Sequence, residues 1–216
     1  GVKMSKSLGN VVAPKDWADQ YGLDSVRFFL LREVPFGADG SYNHEAVVGR
    51  MNSDLANNLG NLAQRSLSMV AKNCAGAVPQ PGEFTAEDKA LLEAAGKLLQ
   101  VSRGAYDMQD FHGALEATWK VLGDTNAYFA EQAPWVLRKT DVERMNTVLY
   151  VTLEVLRIVA ILIQPVMPGS AGKLLDVLGQ PDGDARTFAA LGTPLVPGTE
   201  LPAPAPIFPK YEEPGE

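Results

Sequence analysis

The chain has 216 residues, 46% of them hydrophobic and 21% charged, with one cysteine, two histidines and a net charge of −7. Such a composition belongs to a soluble globular protein of one or two domains, and the lone Cys74 excludes an internal disulfide framework and any CxxC metal site. The acidic balance argues against sequence-independent nucleic-acid binding, which depends on phosphate neutralisation by Lys and Arg, so any RNA partner would need a local patch and specific base contacts.

Along the chain, residues 3–13 read as a polar loop running into Val11-Val12-Ala13, with Pro14 ending any strand there. Asp16 to Gln20 form a short helical turn. Asp24 is placed as N-cap of a helix through Glu33, with Val26, Phe29 and Leu30 on one face. Pro35-Phe36-Gly37 stops that helix, and Asp39-Gly40 supplies a tight turn before Ser41-Tyr42. From His44 to Cys74 the periodicity is helical: Val48, Met51, Leu55, Leu59, Leu62, Ser66 and Val70 form an apolar stripe. A polar stripe of Asp54, Asn58, Asn61 and Arg65 lies roughly 100° round from it and stays reachable by a ligand.

After a loop at 76–82, Thr85 caps a helix from about Ala86 to Tyr106, and another runs from Phe111 to Glu131 with Leu115, Trp119, Leu122, Asn126 and Phe129 on one side. Pro134 breaks that helix. Asp141 opens a long apolar one to Gln164, whose Glu154 and Arg157, followed by Pro165 and Pro168, suit a buried bundle helix better than a membrane span. Ser170 begins a shorter helix to Leu178. The expected fold is mainly α: a small mixed α/β segment over 1–43, a helical bundle over 44–180, and a Pro/Gly-rich segment over 181–216 that folds back on the body. Trp119 is expected in the core, and Trp17 carries no role. HEAVV at His44 lacks the second histidine of HExxH, so no metal site is expected there.

Residues 3–10, KMSKSLGN, have no core logic. Lysines are flexible point cations suited to phosphate oxygens, and serine hydroxyls can donate to the same oxygens. A mobile cationic loop of this kind can close on charge that develops in a transition state. The plain alternative is a solvated basic turn at a chain terminus.

This octet resembles the second signature of class I aminoacyl-tRNA synthetases. Together with DSVRFFLLREVPFGADGSYNHE, NLGNLAQR, EQAPW and IFPKYEE, it makes essentially the whole chain similar to the C-terminal half of the bacterial-type methionyl-tRNA synthetase family. The resemblance implies ligase chemistry in a full-length parent, which activates methionine with ATP and Mg2+ and transfers it to tRNA(Met). It implies that Lys6 and Lys3 are catalytic, that Lys3, Ser5, Lys6 and Ser7 bind ATP, and that the bundle reads the CAU anticodon. Asn61 and Arg65 would hydrogen-bond anticodon bases while Trp135 stacks on the first one, cytosine.

The residues are compatible with those roles. Asn61 and Arg65 stand at i and i+4, so their heads can converge on one ligand. Both carry donors suited to base edges, and Trp135 follows a helix break where an indole can project as a platform. Without the resemblance, Trp135 reads as a core plug and Asn61 with Arg65 as a solvated face.

The family's first signature, His-Ile-Gly-His, does not occur in the sequence. The chain is therefore expected to be inactive alone, as a truncation or as one piece of a nicked enzyme still bound to its N-terminal catalytic half. The parent is expected to be cytoplasmic and monomeric. Competing readings are another class I synthetase, for cysteine, leucine, isoleucine or valine, and a non-catalytic helical adaptor.

Overall fold

The structure is a computed structural model that describes residues 2–35, 37–38, 40 and 42–213. The axis of the fold is α8 (Val142–Ile163), in which every residue from Thr147 to Ile163 is buried. A helix apolar on all sides belongs in a core or in a membrane. Its most apolar stretch is 94% buried inside the fold, and α4 (Asn61–Asn73), α5 (Ala86–Asp107), α6 (Phe111–Gln132), α7 (Pro134–Thr140) and α9 (Pro168–Val177) pack round it. The helix is a core helix.

Its two charged residues are paired. Arg157 Nε donates to Glu154 Oε2 at 2.9 Å and its Nη atoms donate to the Ala190 and Leu191 carbonyls, while Glu154 accepts from Leu195 N at 3.0 Å. A buried ion pair stabilises only when its remaining hydrogen-bonding groups are met. Here they are met by the 3₁₀ turn Phe188–Gly192 and the chain just after it, which the pair fastens to α8.

Helix starts follow their capping residues. Thr85 and Asp88 form a reciprocal capping box at the head of α5. Asp110 caps α6 and Asp141 caps α8, each accepting a backbone N–H three residues on. Pro14, Pro134 and Pro168 each occupy the first helical position, where the missing N–H costs nothing. Pro134 therefore opens α7, a helix absent from the sequence reading, as well as ending α6.

The expected mixed α/β character of residues 1–43 is corrected by the structure. Among the described residues no strand forms, and the one β-bridge joins Ala77 to Glu200. The segment is instead a 3₁₀ turn (Lys6–Leu8) followed by α1 (Pro14–Tyr21) and α2 (Leu23–Glu33). Val11 is exposed and has no strand to pair with, and Pro14 starts a helix directly after it. The turn expected over Pro35–Tyr42 falls partly on Phe36, Asp39 and Ser41, outside the described residues.

Asp24 does not cap its own helix, which Gly22 begins. It caps another: its carboxylate accepts from Ser170 N at 2.5 Å, at the head of α9. Beside it Arg27 donates to the Pro165 and Val166 carbonyls at 2.7 Å. These bonds fasten α2 to the end of the bundle. Phe28, and not the exposed Leu30, turns into the core. A small second core of Trp17, Tyr21, Val26, Phe29 and Val47 holds α1 and α2 against the next helix, and Trp17 is part of it.

That helix runs unbroken from α3 (His44–Arg50) to α4 through Met51–Gly60, which is π-helical. Such i→i+5 stretches are rare and concentrate at functional sites. Here two carbonyls of the π stretch also accept side chains of α6: Trp119 Nε1 donates to Asp54 O at 3.1 Å, and Asn126 Nδ2 donates to Asn58 O at 3.4 Å and to Asn58 Oδ1 at 2.7 Å. Trp119 is a core residue, as expected.

Candidate nucleic-acid interface

The polar stripe divides in two. Asp54 is engaged by Arg50 at 3.0 Å and Asn58 by Asn126, so its first half holds the fold together. The second half is free: the side chains of Asn61 and Arg65, both exposed, make no hydrogen bond or ion pair among the described residues.

Arg65 is not loose, however. Its guanidinium carbon stands 5.2 Å from the centre of the Phe129 ring and 5.2 Å from that of Trp135, and the two rings lie 6.0 Å apart at 59°. Stacking on aromatic faces fixes a guanidinium while leaving its in-plane N–H donors available. Phe129 is fully buried beneath, whereas Trp135 keeps 39% of its surface exposed. The structure thus joins Arg65 and Trp135 and sets Asn61 one turn away on the same helix. The partly exposed indole is not a core plug.

The sequence places Phe129 only on the inward side of α6. Its place four residues before the helix break, with Trp135 two residues after it, is the signal that could have paired the two rings.

The break that aims Trp135 is itself held. Ala133 adopts the left-handed conformation (φ 44) between α6 and α7, which costs a non-glycine residue about 1–2 kcal/mol. The adjoining Gln132 accepts from Arg144 Nη2 at 2.8 Å and Nε at 3.1 Å. Arg144 also grips the buried Asp88, whose carboxylate accepts Nη2 at 2.9 Å and the Tyr128 hydroxyl at 2.6 Å. Burial alone would raise the Asp88 pKa. The bonds from Arg144, Tyr128 and the Thr85 N–H outweigh it and hold the carboxyl below its ordinary range. Burial, reinforced by Asp88, pushes the Tyr128 phenol far up, so it remains a donor. No feature of the sequence reading announced this network, because its four members come from three helices.

The lysine loop is a separate cluster. Ser5 Oγ accepts from Ser7 N at 3.3 Å and meets Ser7 Oγ at 2.7 Å, so the serines close the 3₁₀ turn. Asn10 pins the loop across its base: Oδ1 accepts from Ser5 N at 2.7 Å and Nδ2 donates to Lys3 O at 3.3 Å. Gly9, at φ 65, takes the left-handed corner that ends the turn. Lys3 and Lys6 are exposed and without an ion pair among the described residues. No contact joins this loop to Arg65 or Trp135, and no group of three metal-ligating side chains forms among the described residues.

Comparison with known proteins matches both parts of the chain. Residues 1–67 match the family of class I (M) tRNA synthetases, and residues 78–215 match the anticodon binding domain of methionyl tRNA ligase. The chain is 60% identical over 217 residues to the methionine–tRNA ligase of Brucella melitensis and 61% identical over 218 residues to that of Mycobacterium bovis. It is matched over 100% and 99% of its own length and spans 42% of each relative. Among solved structures, the methionyl-tRNA synthetase of Mycobacterium tuberculosis in complex with methionyl-adenylate superimposes with a TM-score of 0.93 at 61% identity, over 95% of this chain and 41% of that one. The free form of that enzyme gives 0.92 at 60% identity, over 94% and 42%. With a family model covering well over half of its residues, the chain belongs to the methionyl-tRNA synthetase family.

Proposed function

We propose that this chain reads the CAU anticodon of tRNA(Met) for a methionine–tRNA ligase and supplies that enzyme's KMSKS loop. The observation that carries the reading is the clamp of Arg65 between Phe129 and Trp135, with the guanidinium unpaired among the described residues and the indole partly exposed. Sequence-specific RNA recognition targets single-stranded loops whose bases are splayed, stacked on aromatic rings and read on their edges. The first anticodon base, cytosine, stacks on Trp135, where a base on an aromatic ring contributes about 1–3 kcal/mol. Arg65 and Asn61 then present donors, and in the case of Asn61 also an acceptor, to the exposed edge. This mode needs little bulk positive charge, which reconciles it with a net charge of −7.

In the separate lysine loop, Lys3 and Lys6, exposed and without an ion pair among the described residues, are placed to meet the triphosphate of ATP, with Lys6 carrying the larger share and Ser5 and Ser7 shaping the turn. ATP arrives with Mg2+ as part of the substrate. Charge developing on the leaving phosphates would be met by Lys6 Nζ. Adenylate formation needs the remainder of the enzyme, so the chain alone is expected to bind the anticodon without activating methionine. The parent is proposed to be cytoplasmic and monomeric.

The test is a titration of the chain with a CAU anticodon stem-loop and one in which the cytosine is replaced, at one stated salt concentration, for wild type and Trp135→Ala. A CAU preference that disappears in the variant supports the reading. Equal binding to both loops by the wild type, or a preference indifferent to Trp135, overturns it.

A further inference from the structure

A row of side-chain hydrogen bonds joins segments that are far apart in the sequence. The hydroxyl of Tyr21, the last residue of α1, stands 2.6 Å from His44 Nδ1 at the start of α3 and 3.4 Å from the Tyr42 hydroxyl. His44 Nε2 stands 2.7 Å from Glu213 Oε1 in the C-terminal segment. We propose that Tyr21, His44 and Glu213 are positioning residues for the lysine loop, setting the angle at which α1, and with it Lys6, is presented. The proposal rests on the reading of Lys6 above.

The direction of the row follows from its end. A carboxylate only accepts, so in the neutral imidazole Nε2 carries the proton and donates to Glu213. The bare Nδ1 then accepts from the Tyr21 hydroxyl, whose oxygen accepts from Tyr42. Burial, with Tyr42 beside it, pushes the Tyr21 phenol far above its ordinary range, so Tyr21 keeps the proton it donates. His112 is the contrast: its Nδ1 lies 2.5 Å from the Arg32 carbonyl, so that ring carries its proton on Nδ1.

The row reaches the lysine loop through α1. Residues 10–13 alone separate the Gly9 corner from that helix. Within them Asn10 pins the base of the loop and Val12 packs on the second core. Among the described residues, the side chains of α1 make hydrogen bonds through Gln20 and Tyr21 only, and both lead to the C-terminal segment. Gln20 Nε2 donates to the Tyr211 hydroxyl at 3.4 Å, and Tyr21 connects through His44 to Glu213. That segment is anchored on its own account, because Tyr211 N donates to Asn52 Oδ1 at 2.9 Å on the π-helical stretch. Glu213 is exposed and His44 partly so, and exposed pairs add little to stability. Their effect therefore falls on geometry, to which a group acting on a transition state is sensitive.

The experiment follows methionine-dependent pyrophosphate exchange by the assembled enzyme carrying Tyr21→Phe, Glu213→Ala or Glu213→Gln, each alone and combined with Lys6→Ala. Tyr21→Phe and Glu213→Ala should each lower kcat roughly tenfold at unchanged KM for methionine and an unchanged melting temperature. Glu213→Gln, which still offers an acceptor oxygen, should stay near wild type. On top of Lys6→Ala the same changes should add almost nothing, because they act through Lys6, whereas independent effects would multiply. In the isolated chain, which has two histidines, NMR of the imidazole nitrogens should find the His44 proton on Nε2, and Tyr21→Phe should shift His44 Nδ1 and leave His112 unmoved. Effects that multiply fully with Lys6→Ala would overturn the positioning role alone, as would wild-type rates in Tyr21→Phe and Glu213→Ala while Lys6→Ala is slow. So would a His44 proton found on Nδ1. An unaltered rate in Lys6→Ala itself would remove the reading of the loop, and this role with it.

Discussion

Replacing Arg144 by methionine removes the partner of a carboxylate that has no access to water: the Asp88 side chain is 0% exposed. Breaking a buried ion pair from one side costs about 3–5 kcal/mol, because the surviving charge stays buried. Arg144 keeps 16% of its side chain in solvent, and Tyr128 and the Thr85 N–H still reach Asp88, so the lower end, about 3 kcal/mol, is expected. In a domain of this size each kcal/mol moves Tm by about 2–4 °C, giving a fall of about 6–12 °C.

The pH dependence has a definite sign. Asp88 is held below its ordinary pKa of 3.8 in the folded state, so the pair's contribution is fully present above that value and is lost as pH falls through the folded pKa. The gap between wild type and variant in urea melts should be complete at neutral pH and close below about pH 4. A gap under about 1 kcal/mol at pH 7 would refute the reasoning, against the 3–5 expected for a buried pair. So would a gap that persists unchanged into acid.

Three further outcomes are expected. Gly60→Ala, which in an ordinary helix gains about 1 kcal/mol, should here lose about 1–3 kcal/mol in chemical denaturation, since the new Cβ would meet Leu55 O at 3.0 Å and Phe208 O at 3.3 Å. Arg65→Lys keeps the charge but not the planar fork, so discrimination between CAU and UAU loops should fall roughly tenfold. The salt slope should stay unchanged because the charge is kept, and a residue that only contacts phosphate would leave the discrimination unchanged as well. In the assembled enzyme, Lys6→Ala should slow methionine-dependent pyrophosphate exchange roughly a hundredfold while stem-loop affinity holds, and an unaltered exchange rate would remove Lys6 from its role.

Much of the bundle was legible because it is written in local signals. Thr85, Asp110 and Asp141 each sit one residue ahead of a helix, and the apolar run of α8 admits a buried helix and little else. Arg65 and Asn61 were visible as an i, i+4 pair on a polar stripe. What was not legible depends on distant partners. Asp24 has the right chemistry for a cap but caps a helix 146 residues away. Val11 and Val12 have strand-forming side chains but no strand among the described residues to pair with. Asp54 and Asn58 look identical in kind to Asn61, yet Arg50 and Asn126 engage them. Phe129 could be read as buried, and only the fold reveals that it is buried under a guanidinium.

The three side-chain hydrogen bonds from α6 to the π-helical stretch have a mechanical consequence. The helix that carries Asn61 and Arg65 cannot roll about its axis without breaking Trp119–Asp54 and Asn126–Asn58 together. The helix that carries Trp135, α7, continues from that same α6 through Ala133. The two faces are therefore keyed like two gears locked on one shaft, and under the proposed anticodon reading an arriving RNA loop would have to conform to them. Most of the ordering cost then falls on the RNA, and variants of the face should differ in how long the loop stays and hardly in how fast it arrives.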